Sequence, residues 1–433
     1  MQISSKLRLQ IFREDNFKAH LITSLKNDLQ DFLKGKERIV FKKTISPRVT
    51  IIIPTFNGAY HTLRCLRSLL ADIRSSFEVI VFDNGSSDET IELLNRCDNI
   101  QVIKSPQNLG YIKANNAAAK YARGEFLLLL NNDARIVEGA IEDSVKVFSS
   151  EQNVGAVGVR IKLATGKLQE AGCMIFRNGT SNGYLRYQNA DDPRAMFMRD
   201  VDYCSAIYLL LKRQQFLDLG GLDEIYSPAY YEETDLCMKL RAQGLRVIYI
   251  PSVTVEHFEF GSQPSKVGRS AILERLPIFV ARWKNDLDTQ GFGGSRYTTN
   301  KDLISRRLVP SPRILLAARE LSLGDMSDTA MKMISEAIDQ GWQVTIAGFS
   351  KANFNWSKFR EMFGLKVEVA FGGGFFSVQK FMIKRPGYFN LVSDLDDFSI
   401  EQTLFYSGLL HRTAVHKFSN LEKFRERLGH LNV

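Results

Sequence analysis

The chain has 433 residues, 44% of them hydrophobic, which excludes a disordered or fibrous protein and leaves room for two or three packed domains. No run of about 18 apolar residues occurs, and the opening MQISSKLRLQIFRED lacks the apolar centre of a signal peptide, so neither a membrane span nor export is expected. The net charge of +9 favours anionic partners, but basic residues are interleaved with 48 acidic ones and form no stripe with aromatics, which argues against a nucleic-acid binder.

The cysteines, Cys65, Cys97, Cys173, Cys204 and Cys237, are scattered without a C-x-x-C pair. Neither a zinc site nor a disulfide framework is indicated, and reduced thiols in a cytoplasmic protein are expected. Residues 1–47 carry Phe17, Leu21, Leu25, Leu29 and Phe32 with Leu33 at helical spacing among basic residues. This predicts an N-terminal amphipathic helical segment that packs on the main domain or serves a membrane-surface or oligomer contact.

From residue 48 the pattern becomes strand, loop, helix. A β-branched strand over 48–54 ends in the turn-forming Pro54-Thr55-Phe56-Asn57-Gly58, and a helix follows over 60–70. A second strand at 78–82 runs into Asp83-Asn84-Gly85-Ser86-Ser87, with a helix at 88–96, a strand at 100–104 and a helix at 111–122. The stretch FLLLLNND (126–133) is a strand too apolar to have a wet face, stopped by Asn131, Asn132 and Asp133. Such alternation predicts a mainly parallel sheet covered on both faces, so these polar strand ends converge on one crevice.

No G-x-G-x-x-G follows the first strand and no G-x-x-x-x-G-K-[ST] occurs, which excludes a dinucleotide dehydrogenase and a P-loop enzyme. A nucleotide still suits the crevice. Asp83 can accept hydrogen bonds from a base or ribose, Asp133 can ligate a hard cation bridging a diphosphate, and Asn131 would orient without adding charge.

Strands at 154–162 and 173–176 come next, then a polar, Gly-rich stretch over 177–192 that reads either as an acceptor-side flap or as a surface insertion. A buried strand at 204–212, a short helix at 213–219 and the turn Gly220-Gly221-Leu222-Asp223 precede Tyr230-Tyr231-Glu232-Glu233-Thr234-Asp235. Three acids in a helix's first turn can simply satisfy its macrodipole. Beside a ligand crevice they can instead supply a base, the two aromatics excluding water and raising a carboxylate's pKa. Glu232 and Asp235 lie three apart and share a face. His257 follows a strand at 246–250, where a lone histidine is either structural or a ligand. The basic stretch 270–287 is predicted helical, broken or kinked at Pro277, with Arg and Lys facing solvent, a lipid-linked acceptor or a membrane surface.

Four segments, VTIIIPTFNG, VIVFDNGSSDET, NLGYIKANNAAAKYARGEFLLLLNNDARI and YYEETDLCMKLRAQGLRVIYIPSVTVEHFEFGS, in this order and spacing, resemble the family 2 glycosyltransferases of the GT-A fold, most nearly the bacterial rhamnosyltransferase-like group that builds cell-surface polysaccharides. The resemblance covers about residues 48–283. It implies a donor site in which Pro54, Thr55 and Asn57 hold the nucleotide, Asp83 with Asn84 contacts the base, and Lys113 and Asn116 lie near ribose and phosphates. Asn131-Asn132-Asp133 takes the place of the family's D-x-D motif, with Asn131 for the first acid and Asp133 as its only carboxylate. It further implies that His257 completes a Mn²⁺ or Mg²⁺ site with Asp133, and that Glu233 is the base, with Asp235 as the substitute and Glu232 beside them.

From residue 310 a strand-helix alternation restarts: strands at 313–318, 343–348, 366–370 and 388–392, and helices at 329–340 and 356–363. This predicts a smaller Rossmann-like α/β module over 310–433, joined to a transferase domain (48–262) by a helical extension and linker (263–309). It loosely resembles the first half of a GT-B glycosyltransferase, and Gly372-Gly373-Gly374 is no dinucleotide fingerprint, so docking, oligomerisation or a degenerate domain is its expected role.

The expected protein is an inverting, metal-dependent glycosyltransferase on the inner face of the membrane or free in the cytoplasm. It would move a sugar from a UDP- or dTDP-sugar, dTDP-rhamnose among them, to a hydroxyl of a cell-surface glycan or lipid-linked acceptor. One rival is a non-catalytic nucleotide-sugar binder with a degenerate site. Another, a sugar-1-phosphate nucleotidyltransferase, would need a Gly-rich basic loop that Thr55-Phe56-Asn57-Gly58 does not supply.

Overall fold

A computed structural model describes residues 5–258, 265–288, 312–320, 328–350, 356–364, 366–371, 391–394, 414–416 and 421–430. The chain divides into two compact units, Met1–Ala190 with Val201–Asp288, and Asp191–Asp200 with Thr289–Val433.

The first unit opens with helix α1 (Ser5–Lys34), whose Leu25, Leu29, Phe32 and Leu33 are buried. Arg67 of α2 (Ala59–Leu70) pairs with Asp28 and lies over the Phe32 ring, so the helix packs on the transferase-like unit through this part of its stripe. The elements that follow are β1 (Ile39–Val40), β2 (Val49–Thr55), β3 (Phe77–Asp83), α3 (Thr90–Leu94), β4 (Cys97–Asp98), β5 (Gln101–Lys104), α4 (Gly110–Ala119) and β6 (Phe126–Leu130). Beyond them come β7 (Ala134–Arg135), α5 (Ala140–Ser150), β8 (Val154–Leu163), β9 (Leu168–Glu170), β10 (Cys173–Ile175) and β11 (Ser181–Gly183). Past β12 (Arg199–Asp200), which falls in the second unit, the first resumes with β13 (Tyr208–Lys212), α6 (Arg213–Asp218), α7 (Glu232–Ala242), β14 (Arg246–His257), α8 (Ser265–Arg282) and α9 (Lys284–Asp288).

Its central sheet runs β14-β8-β13-β6-β2-β3-β5, parallel throughout except that β13 lies antiparallel to both β6 and β8. Every residue of β6 is buried, as a strand with two neighbours and covered faces requires. The expected mixed α/β fold with a parallel-rich sheet is the one observed. The reversal of β13 was not legible, because a buried run such as YLLLK carries no mark of its direction. Pro251 does not end β14: the pairing with β8 shifts register between Ile250 and Thr254, and an irregularity of this kind accommodates a residue without an N–H. Pro277 likewise lies inside α8 without ending it. The stretch 177–192 holds β11, paired with β10, and buries Tyr184 and Leu185.

The second unit contains a parallel sheet in the order β17-β16-β15-β18-β19, formed by β15 (Arg313–Glu320), β16 (Gln343–Ser350), β17 (Val367–Phe371), β18 (Leu391–Asp394) and β19 (Ala414–His416). Ile314, Leu316, Trp342 and Ile346 pack with Phe359 and Phe363 of α11 (Trp356–Phe363), and with Phe424 and Leu428 of α12 (Leu421–His430). Helix α10 (Asp328–Asp339) completes this layer with Met333, Ile334 and Ala337. The last helix and β19 escaped the sequence reading; Gly372–Gly374 and the first three residues of the 388–392 strand lie outside the described residues. Among the described residues no helix is long and apolar enough to cross a membrane.

Candidate active site

A cleft of about 360 Å³ opens at the carboxyl ends of β2 and β6. Pro54, Thr55 and Phe56 line it from β2, Asn131, Asn132 and Asp133 from β6, and Asn84 from the loop after β3. The start of α4 (Asn108–Tyr111) and the pair Pro228, Ala229 close it. Parallel strand ends have delivered their polar loops to one crevice, as the alternation requires.

The loops are tied to each other before any ligand is considered. Asn57 has φ 56°, and its side-chain oxygen accepts from the backbone N–H of Ser87 (2.8 Å) and Asp88 (3.3 Å), joining the first loop to the second. Asp83 is 2% exposed and caps the Ser86 N–H at 3.1 Å; Asn84, the next residue, is the one on the cleft wall. The Asn132 amide donates to the hydroxyls of Thr55 (3.2 Å) and Thr62 (3.1 Å), fixing the β6 end to β2 and α2. Asn131 keeps its amide free of such internal bonds and faces the cleft.

Lys113 and Asn116 are not brought to the cleft wall. They lie three apart on α4 and share the face turned to the 221–224 segment. The Asn116 amide donates to the Leu222 carbonyl (2.7 Å) and accepts from its N–H (2.9 Å), while Lys113 is exposed and 3.8 Å from Glu224. Asn116 holds this segment in place; neither residue is on the cleft wall.

Asp133 and His257 meet although 124 positions separate them, because the chain doubles back after β6. Strand β7 pairs with the end of β14 in the register His257↔Ala134, and the Phe258 N–H donates to the Asp133 carbonyl at 3.2 Å. The side chains then touch, Nε2 to Oδ1 at 3.0 Å. Burial pushes the Asp133 carboxyl up, but in the metal-free state a protonated His257, through its charge and hydrogen bond, holds it below the ordinary carboxylate range. Nδ1 of His257 faces Gln169 Oε1 at 2.8 Å. With Nδ1 donating to Gln169, the proton between Nε2 and the Asp133 oxygen occupies the place that a cation could take from a neutral imidazole.

A divalent ion fits that place. Ligand atoms ~2.1 Å from a metal and at right angles to one another are about 3 Å apart, the separation seen here. Among the described residues no three His, Cys, Asp or Glu side chains converge as a metal site. Among the described residues, Asp133 Oδ1 and His257 Nε2 are thus the two side-chain atoms that could hold such an ion.

His61 was missed by the sequence reading. It is 2% exposed on α2, its ring packed against Phe258 (4.6 Å) and Tyr60 (4.3 Å), with both nitrogens lacking a hydrogen-bond partner. Burial lowers it to about 4 despite the pull of Asp133, so it is neutral at physiological pH. A histidine in the first helical turn after a ligand loop was the available signal.

On the other side, Tyr230 and Tyr231 have φ values of 78° and 72°, conformations that cost a bulky residue energy and persist only where surroundings impose them. Tyr231 is held by its hydroxyl, which donates to the Gly179 carbonyl (3.0 Å), and by the Phe279 ring at 4.9 Å. The preceding Pro228 is fixed to α4: its carbonyl accepts from Tyr111 N–H at 3.0 Å, and a Cβ on Gly110 (φ 81°) would lie 2.7 Å from Pro228 Cβ.

This loop delivers the acids at the start of α7. Burial, and then Glu233, push Glu232 well above the carboxylate range. Burial also raises Glu233 to about 7, against the backbone N–H groups at the helix start and with Glu170 adding. One oxygen of each lacks a hydrogen-bond partner. Asp235, the substitute base in the sequence reading, is differently placed. It is fully buried and accepts from Trp283 Nε1 (2.8 Å), Arg282 (3.1 Å) and Tyr226 (3.2 Å), with Lys239 at 2.9 Å. Its oxygens are committed to tying α7 to α8. Half-buried Tyr111 on the cleft wall has its pKa raised by burial, then by Glu232 and Glu233, and also by Asp133, whereas Glu232 and Glu233 themselves are not among the residues that line the cleft.

Residues 50–206 match the sequence model of Glycosyl transferase family 2. An uncharacterized protein of Sinorhizobium fredii, y4gI, is 28% identical over 290 residues, which cover 63% of this chain and 31% of that protein. The O-antigen biosynthesis protein RfbC of Myxococcus xanthus is 32% identical over 229 residues, 50% of this chain and 18% of that one. The N-acetylglucosaminyl-diphospho-decaprenol L-rhamnosyltransferase of Mycobacterium tuberculosis is 26% identical over 235 residues, 48% of this chain and 75% of that one. The chain thus spans less than a third of the length of the first two relatives.

Proposed function

Since the chain belongs to glycosyltransferase family 2 through residues 50–206, we propose that its cleft transfers a sugar from a nucleoside diphosphate donor to an acceptor hydroxyl with inversion. The observation that carries this reading is the Asp133–His257 contact at the cleft, a cradle for a divalent ion beside a site of nucleotide size. Mn²⁺ or Mg²⁺ bound there would neutralise the charge of the diphosphate.

The protein's own residues supply the rest. Pro54, Thr55, Phe56 and Asn84 form the donor wall, and Asn131 orients the diphosphate side without adding charge. Glu233, with a pKa near 7, takes the proton from the attacking hydroxyl, and the strained Tyr230-Tyr231 pair keeps water from it. Inversion needs no covalent nucleophile, only a base opposite the leaving group. The proposed donor is a UDP- or dTDP-sugar and the proposed acceptor a cell-surface glycan or lipid-linked saccharide; the names of the Myxococcus and Mycobacterium relatives support the acceptor class. The N-terminal helix and the 270–287 stretch are the parts proposed for a membrane-surface contact, and the N-terminal helix and the 310–433 module those proposed for an oligomer contact.

The test is a thermal-shift screen of the full chain against UDP-, dTDP- and GDP-sugars with and without Mn²⁺, followed by assay of nucleoside diphosphate release. The expected result is stabilisation by one nucleotide class that grows with Mn²⁺. Absence of any shift and any release across the panel overturns the reading.

A further inference from the structure

Strand β9 sends adjacent side chains to opposite faces of the sheet edge, as the two-residue period of a strand dictates. Glu170 turns toward Ser205, accepting from its N–H (3.1 Å) and its hydroxyl (2.5 Å). Gln169 turns the other way and meets His257 Nδ1 at 2.8 Å. Both partners are nearly fully buried, Gln169 7% and His257 6% exposed, so water does not compete for the contact. The strand is itself anchored: Leu168 N–H donates to the Gln188 carbonyl (2.9 Å), its carbonyl accepts from Tyr187 N–H (2.7 Å), and it pairs with β8.

We propose that Gln169 is the positioning residue of the cation cradle: its carbonyl oxygen accepts from His257 Nδ1–H, fixing the tautomer and ring plane that present Nε2 to the ion beside Asp133. The inference rests on the metal reading above and deepens it. A buried amide suits the task, because its oxygen can accept only from a protonated Nδ1, which leaves Nε2 as the lone-pair nitrogen. It also adds no negative charge behind the ring. Backbone pairing of β7 with β14 places the imidazole, but it leaves open both the ring's rotation about its side-chain bonds and the choice of protonated nitrogen. Gln169 closes those two freedoms, a function that outer partners of ligating histidines commonly serve.

The experiment titrates full-length wild type, Gln169→Leu and Gln169→Glu with Mn²⁺ in the presence of UDP, following the signal of free Mn²⁺ by electron paramagnetic resonance. Leucine removes the acceptor at similar size and is expected to weaken Mn²⁺ binding 10- to 100-fold. Glutamate keeps an acceptor and is expected to hold affinity within a few-fold of wild type. The metal-free proteins, labelled with ¹⁵N in histidine, give a second readout: in wild type the His257 Nδ1 proton, held in its hydrogen bond to Gln169, should exchange slowly with solvent, and in Gln169→Leu it should exchange faster.

Equal Mn²⁺ affinity in wild type and Gln169→Leu overturns the inference while leaving the metal reading intact. Equal loss in the leucine and glutamate variants overturns it too, because it would mean that Gln169 donates through its nitrogen. Should wild type itself bind no Mn²⁺, the metal reading falls and takes the inference with it. A leucine variant that does not fold is replaced by Gln169→Met, judged by the same three outcomes.

Discussion

Asp133 on the cleft wall and Glu233 at the start of α7 are carboxylates treated in opposite ways. Asp133 faces a histidine, rests on a backbone register set by β7 and β14, and is held below the ordinary range. Glu233 faces other acids, Glu170 among them, follows two residues in strained conformations, and is raised to about 7. Burial pushes both upward, so the difference lies in the partners: one has an imidazole within 3.0 Å, the other a further negative charge. Environments that drive two acids apart in this way assign them different tasks. On the proposed mechanism one stays charged and the other exchanges a proton near neutral pH.

The largest expected effect breaks the charged side. Asp133→Ala should lower kcat/KM by about 10³-fold or more, because the proposed divalent ion would lose the only carboxylate of the Asn131-Asn132-Asp133 motif. The loss should not be restored by raising pH. Glu233→Gln breaks the other side and should lower kcat by about 10²- to 10⁴-fold while donor affinity stays near wild type. It carries a second, opposite signature. A carboxyl raised in the folded state contributes stability below its unfolded pKa, and that stability is lost as pH rises through about 7. A glutamine escapes the loss, so at pH 8 the inactive variant should be more stable than wild type, by at most about 3 kcal/mol. Full activity of Glu233→Gln would remove Glu233 from the role of base.

Smaller effects sharpen the comparison within α7 and its loop. Asp235→Asn leaves Arg282 and Lys239 without their buried counter-charge and should cost about 3 kcal/mol in chemical denaturation. Folded protein should nevertheless keep the pH dependence of wild type, since the proton acceptor is unchanged. Gly110→Ala sets a Cβ against Pro228 and strains a left-handed backbone. It should destabilise by about 1–3 kcal/mol and raise KM for the donor, because Pro228 and Ala229 are on the cleft wall.

What the sequence disclosed followed from period and position. Apolar runs stopped by Thr55, Asn84 and Asp133 announced strand ends, and strand ends of a parallel sheet share an edge, so half the cleft was readable from spacing alone. The roles of individual amides were not. Asn57, Asn116 and Asn132 look like ligand groups in a sequence, yet each spends its hydrogen bonds joining one loop to another. Nothing in residue type separates an amide that binds a ligand from one that binds a neighbouring loop; only the identity of its partner does. Asp235 misled for the same reason, since its counter-ions come from α8, some 47 positions away, and from Lys239. Gln169 gave no signal at all, because its partner lies 88 positions along the chain. The direction of β13 was equally silent, a buried apolar run being alike in both senses.

The most delicate prediction concerns the charge that sets the base apart. Glu170 lies buried on β9 and adds its repulsion to the burial that raises Glu233. Glu170→Gln removes that repulsion with little change of shape. Its remaining oxygen can still accept from the Ser205 N–H, and its amide can donate to the Ser205 hydroxyl where the carboxylate accepted from it. If transfer uses the Glu233 carboxylate as proposed, the rate of wild type should rise with pH through about 7. With the repulsion gone, the carboxylate forms more readily, and the acidic limb of the kcat profile should move to lower pH by about half a unit to one unit. The plateau rate should fall only slightly, because a less basic Glu233 is a weaker proton acceptor. An acidic limb that stays in place in Glu170→Gln, with the plateau also unchanged, means that the titrating group is not Glu233. The contrast between Asp133 and Glu233 would then be electrostatic without being catalytic.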